Sequence, residues 1–361
     1  MRVPLRLLLA LPAFAALLCG VLSGLARLGL PVGAAFAQLI GAHGALMTGA
    51  FFGTLIGLER AVALGRQWPY LAPLCSGLAG LVLIAQGAVL IAALLMSAAA
   101  GVLCIACCGL WRRQRVAHLA TLGAAALCWL IGNLAWALSD SFLFVVPLWA
   151  AFLILTIAAE RLELSRLVPT PPRARQVFGA IVAGLMLSAT LAAWPDAQLD
   201  LALRIFAASM LALAVWLLRY DIARRTLHTP GLTRYMAICL LSAYAWLALA
   251  GVLGLFGALQ LGQPLRDAAL HALLLGFVFA MVFGHAPVIL PALSRLRMRW
   301  HAGLYLPLAF LHLSLLLRLS AGLSGNFSLR QDAAIGNALA LLSFGLGVIA
   351  CLYAGRVRPP N

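Results

Sequence analysis

With 361 residues, 65% of them hydrophobic and only 9% charged, the chain carries more apolar side chain than a soluble core can bury, and its mean hydropathy of +1.06 says the same. Its net charge of +16 arises from 25 basic residues, all arginine, against nine acids. In so apolar a chain this excess reports membrane topology rather than nucleic-acid binding. The composition predicts an all-α, polytopic membrane protein forming a single integral membrane domain over residues 1–361.

Twelve spans are expected at about 7–28, 33–57, 70–87, 88–111, 119–138, 143–159, 177–194, 200–218, 235–257, 267–293, 302–322 and 333–355. Arginines test this count. They gather at the N-terminus (Arg2, Arg6), after the even-numbered spans (Arg60 to Arg66, Arg112 to Arg115, Arg161 to Arg175, Arg219 to Arg234, Arg295 to Arg299) and at the C-terminus (Arg356, Arg358). Arg27, Arg204, Arg266, Arg318 and Arg330 fall on the other side. The alternation places both termini in the cytoplasm and requires an even number of crossings.

In chain order, residues 1–26 resemble a secretory signal, but Leu18 before Cys19 and the weak small-residue pattern favour an uncleaved first span. The second span, AAFAQLIGAHGALMTGAFFGTLIGLERAVALG, carries His43 about ten residues in, with Met47 one turn on. An ionisable residue at that depth marks a functional site. Gly41, Gly44, Gly49 and Gly53 thin this helix, for a neighbouring backbone or for a flat cofactor. Glu59-Arg60 at its end is echoed by Glu160-Arg161 at the end of the sixth span. Two such steps at equivalent ends read as inter-helix ties, with the mouth of a proton or substrate path as the other reading.

Among eight cysteines, Cys104, Cys107 and Cys108 share a helix face without a second cluster to complete a metal site. The fifth span aligns Trp129, Asn133 and Trp136 on one stripe, as interior packing around one hydrogen-bonded amide or as an aromatic wall. The Pro-rich connection 161–176 separates two six-span halves, 1–160 and 177–361. His118, His228 and His301 lie at interfaces beside arginines.

The tenth span, DAALHALLLGFVFAMVFGHAPVILPAL, holds His271 and His285, fourteen residues apart and so near one face of a regular helix. Met281 stands four residues before His285, and Pro287 and Pro291 kink or end the helix. In the eleventh span His312 sits near the midplane, and Arg318 needs a carboxylate, backbone carbonyls or a cofactor's anionic group, such as a heme propionate. Four of seven histidines are thus intramembrane, and neutral imidazole with methionine neighbours suits iron or copper.

HALLLG at His271, the run FLHLSLLLRLSAG around His312, and His43-x-x-x-Met47 together resemble the NnrS family, over about a third of the chain. More distantly the pattern is similar to subunit I of the heme-copper oxidases. The resemblance implies a twelve-span bacterial inner-membrane protein that binds heme, of the b type, and copper, and is linked to nitric oxide metabolism or stress. It implies nitric oxide as a small gaseous ligand, an unidentified redox partner, and, if the protein is an enzyme, a membrane oxidoreductase acting on nitric oxide or oxygen. Heme would then be held by His43 and His271, which change one spectral feature between them, with Arg318 at a propionate. A second centre or copper site would draw on His285, His312 and Met281. The alternative is a cofactor-free transporter or membrane-assembly factor that uses the same histidines for protons.

Overall fold

A computed structural model describes residues 3–139, 143–165, 170–194, 198–294 and 296–357 of the chain. Arg2, Arg166, Arg295 and Arg358, and the middle of the 161–176 connection, lie outside the described residues.

All regular structure among the described residues is helical. Twelve helices succeed one another: α1 (Val3–Ala26), α2 (Ile40–Leu64), α3 (Trp68–Ile84), α4 (Val89–Arg113), α5 (Ala117–Leu138), α6 (Val146–Leu164), α7 (Pro172–Ala192), α8 (Leu199–Tyr220), α9 (Leu232–Leu255), α10 (Arg266–Ala292), α11 (Ala302–Ser324) and α12 (Phe327–Val357). Each overlaps an expected span. Ten of them are long and apolar enough to cross a membrane. The exceptions are α3, which is shorter, and α6, whose last turn carries Glu160, Arg161 and Glu163. Every residue of α6 from Pro147 to Thr156 is buried, so this helix faces protein on all sides and has no lipid-facing stripe.

The second span starts later than its apolar sequence suggests. Ala34–Ala37 forms a separate turn, and the continuous helix begins at Ile40, because Gly33 at φ 101° and the irregular Gln38–Leu39 step break the run. The tenth span, conversely, continues as helix through Pro287 and Pro291 to Ser294, so neither proline ends it.

Two helices depart from α geometry over eight residues each. Leu46–Gly53 of α2 and Ala272–Phe279 of α10 are π-helical, a rare conformation that clusters at functional sites. A π turn holds more residues than an α turn, so the helix beyond it is rotated from its α register. The fourteen-residue spacing of His271 and His285 spans such a stretch and cannot be read as that of a regular α-helix.

The chain divides into two compact units: Met1–Glu163 with Leu185–Ala202, and Leu164–Gly184 with Leu203–Asn361. In the first unit α1 packs closely on α2 and α3: a Cβ on Gly20 or Gly24 would strike Met47 or His43, and one on Gly77 would meet Pro12. In the second unit the Trp246 ring of α9 lies on Gly276 of α10, where an added Cβ would sit 2.5 Å from it.

Candidate functional site

His43 is the fourth residue of α2 and His271 the sixth of α10, about 5 and 8 Å along their helices at ~1.5 Å per residue. Both are thus nearer the helix start than the ten residues expected for His43. Each is half-buried, and each belongs to a different unit.

In the first unit His43 donates its Nδ1–H to the Gly20 carbonyl at 2.7 Å, since a carbonyl can only accept. The neutral ring then keeps its lone pair on Nε2. Met47 shares the α1-facing side with His43, its sulfur lying against Gly20. Gly49 and Gly53 do not open a gap for a flat cofactor: Met96 and Trp129 fill those positions. At Gly49 and Gly53 the glycine stripe serves helix packing, whereas a Cβ at Gly41 would meet nothing within 4 Å.

At the other end of α2, Arg60 Nη2 bridges Glu59 at 3.1 Å and Glu160 at 2.7 Å, tying α2 to α6. Arg161 is buried beside them. Trp129, Asn133 and Trp136 are interior, as their stripe suggests. Trp149 donates to Asn133 Oδ1 at 3.0 Å, and Trp129 stacks on Phe152 with ring centroids 4.7 Å apart. The three cysteines of α4 do not converge: Cys104 is half-buried, Cys107 buried and Cys108 exposed.

In the second unit Arg318 has found a carboxylate. Its Nε and Nη2 donate to Asp267 at 2.7 and 3.1 Å, and its Nη1 donates to Asn337 Oδ1 at 2.9 Å. Asn337 in turn donates to Ser314, and Ser314 to the Leu311 carbonyl. The guanidinium that a propionate was expected to meet is therefore already neutralised inside the protein. Asp267 also stands behind His271, whose Nδ1–H donates to the Asp267 carbonyl at 2.8 Å with the carboxylate 3.4 Å away. Such a backing carbonyl or carboxylate fixes the tautomer of a metal-ligating imidazole.

His285 repeats the pattern, donating from Nδ1 to the Met281 carbonyl at 2.7 Å. Met281 thus meets His285 through its backbone, while its side chain is buried. His312 is different. The indole of Trp246 can only donate, so its 2.9 Å bond makes His312 Nδ1 the acceptor and leaves the proton on Nε2. In that tautomer His312 is a hydrogen-bond donor and not a ligand. Its Nε2 is buried and has no acceptor among the described residues.

Among the described residues no three His, Cys, Asp or Glu side chains gather as a metal-ion site. Heme, which needs only one or two axial imidazoles, fits the tautomers of His43, His271 and His285. Sequence reasoning missed Asp267, Asn337, Trp246 and Gly20. Asp267, as the sole acid of the tenth span and one turn before His271, carried a signal that spacing alone could have found.

A chain with ten helices of this length and apolarity is a helical, multi-pass membrane protein. It matches the profile of DUF8744, a domain of unknown function, over residues 6–353, and so belongs to that family. No curated protein matches it.

Proposed function

We propose that this protein is an NnrS-like, heme-binding protein of the bacterial inner membrane, with twelve spans and both termini cytoplasmic, linked to nitric oxide metabolism or stress. The supporting observation is that His43, His271 and His285, all on apolar helices, each commit Nδ1–H to a backbone carbonyl, the kind of bond that orients the ring of a metal-ligating histidine. His43 in the first unit and His271 in the second are each a residue that would hold heme. Bound heme supplies an iron on which a small gas such as nitric oxide or oxygen can sit. The protein's part is to orient the two imidazoles, His43 through Gly20 and His271 through Asp267.

The test is the heme-to-protein ratio of purified variants. His43→Ala and His271→Ala each lower the heme content, whereas His118→Ala and His228→Ala keep it. Full heme content in both of the first two variants refutes the assignment. A second reading, a proton-coupled transporter, draws on the intramembrane chain from His271 through Asp267 and Arg318 to Asn337. A proton relay through His312 would have to break its bond from Trp246, which weighs against that reading.

A further inference from the structure

A threonine inside a helix commonly settles its hydroxyl on the carbonyl one turn back. This chain does so at Thr48, Thr121, Thr156 and Thr190, which donate to Gly44, Ala117, Phe152 and Met186 at 2.7 to 3.0 Å. Thr54 does not. It is fully buried, and its Oγ1 has no hydrogen-bond partner among the described residues. The cause is local, because Thr54 directly succeeds the π stretch Leu46–Gly53, where the wider turn carries the carbonyls away from their α positions. The same stretch releases the Gly49 carbonyl, which Ser76 of α3 takes at 2.8 Å.

Two further buried donors of the first unit are in the same condition, Trp129 Nε1 and Asn133 Nδ2, both on residues with no exposed surface. Helix α5 brings the Trp129 ring against the end of the π stretch: a Cβ on Gly53 would lie 2.5 Å from Cζ2 of that ring and 2.8 Å from Ser76 Oγ. Asn133 stands one turn along α5. Its oxygen is fixed by the Trp149 indole, which can only donate, so both hydrogens of Nδ2 are left to another acceptor. Burying three such donors in apolar surroundings is costly unless something accepts from them.

We propose that the π stretch of α2, with Ser76, Trp129 and Asn133, forms a binding site inside the first unit for a small uncharged molecule that offers oxygen acceptors. The donors are an indole, an amide and a hydroxyl, none of them charged, which suits a neutral acceptor better than an anion. Water and a small polar solute share that chemistry. This site does not rest on the heme assignment, since none of its residues is a histidine.

The test is the indole hydrogen-bond band of Trp129 in the ultraviolet resonance Raman spectrum, isolated as the difference between the full-length protein and Trp129→Phe. A hydrogen-bonded indole is expected, and a free one overturns the proposal. Thr54→Val is nearly isosteric and checks the second donor. A lowered unfolding temperature and a shifted Trp129 band are expected, with Thr54→Ser keeping the wild-type band. An unchanged or raised unfolding temperature contradicts the proposal, because a hydroxyl that truly lacks a partner is removed at no cost. Mass spectrometry of the denatured supernatant separates the sources. A released solute identifies the ligand, and a bonded indole without one assigns water.

Discussion

Asp267 is the residue on which the polar chemistry of the second unit converges, accepting two bonds from Arg318 and standing behind His271. Removing one member of such a pair leaves the other charge stranded, and this outweighs the modest net worth of the intact pair. Arg318→Ala should therefore destabilise by about 3 kcal/mol, the lower end of the usual range, since Asp267 keeps 29% of its side-chain surface. The double variant Asp267→Asn with Arg318→Met should recover most of that loss, as read from thermal unfolding in detergent; no recovery would show that shape rather than charge is at issue. Arg60, Glu59 and Glu160 invite a parallel experiment at the other end of the first unit. Glu160→Gln should lower folded yield and leave heme content per folded molecule unchanged. Normal yield with lost function would make Glu160 part of a proton path. These residues differ in how far sequence revealed them. Two Glu-Arg steps at matching helix ends were visible as ties, whereas Asp267 stood out only as the lone acid of its span, and its pairing with Arg318, 51 positions away on another helix, appears only in the fold.

At the scale of elements, the two π stretches separate what periodicity can find from what it cannot. Apolar runs located the ten long apolar helices among the described residues, because burial in lipid or protein imposes only length and composition. The π turns left no composition signal, so the face that His285 takes relative to His271 is not legible from their spacing. The start of α2 was likewise placed seven residues early, since Ala34–Ala37 is apolar enough to read as part of the span. Close approach at these stretches is testable through glycine. Gly276→Ala would push a methyl group into the Trp246 ring and should cost about 1–3 kcal/mol. Gly101→Ala, in α4 with nothing within 4 Å, should instead stabilise by about 0.5–1 kcal/mol. Thermal unfolding of the two variants side by side checks the pair, and a larger loss at Gly101 would contradict the packing described for α9 and α10.

For the whole molecule, the arginine distribution carries the proposed topology. Reporter fusions at Arg115, Arg173 and Arg225 should all read cytoplasm, and one at Gly262 the outside. An inverted signal at any of them would break the twelve-span scheme; the matching outside position at Asp140 lies outside the described residues. The candidate site was legible in part. Intramembrane histidines stand out in an apolar sequence, but which nitrogen each presents depends on hydrogen bonds to Gly20, Asp267, Met281 and Trp246 that only the folded chain creates. Those bonds divide the four histidines into three whose proton sits on Nδ1 and one whose proton sits on Nε2. The most direct measurement of the central claim is the visible absorption spectrum, with metal analysis, of wild-type protein purified in detergent from cells with ample heme supply. Histidine-ligated heme predicts a Soret band and iron at a fixed ratio to protein. A spectrum without visible absorbance and a preparation without iron would contradict the heme assignment and leave the transporter reading in its place.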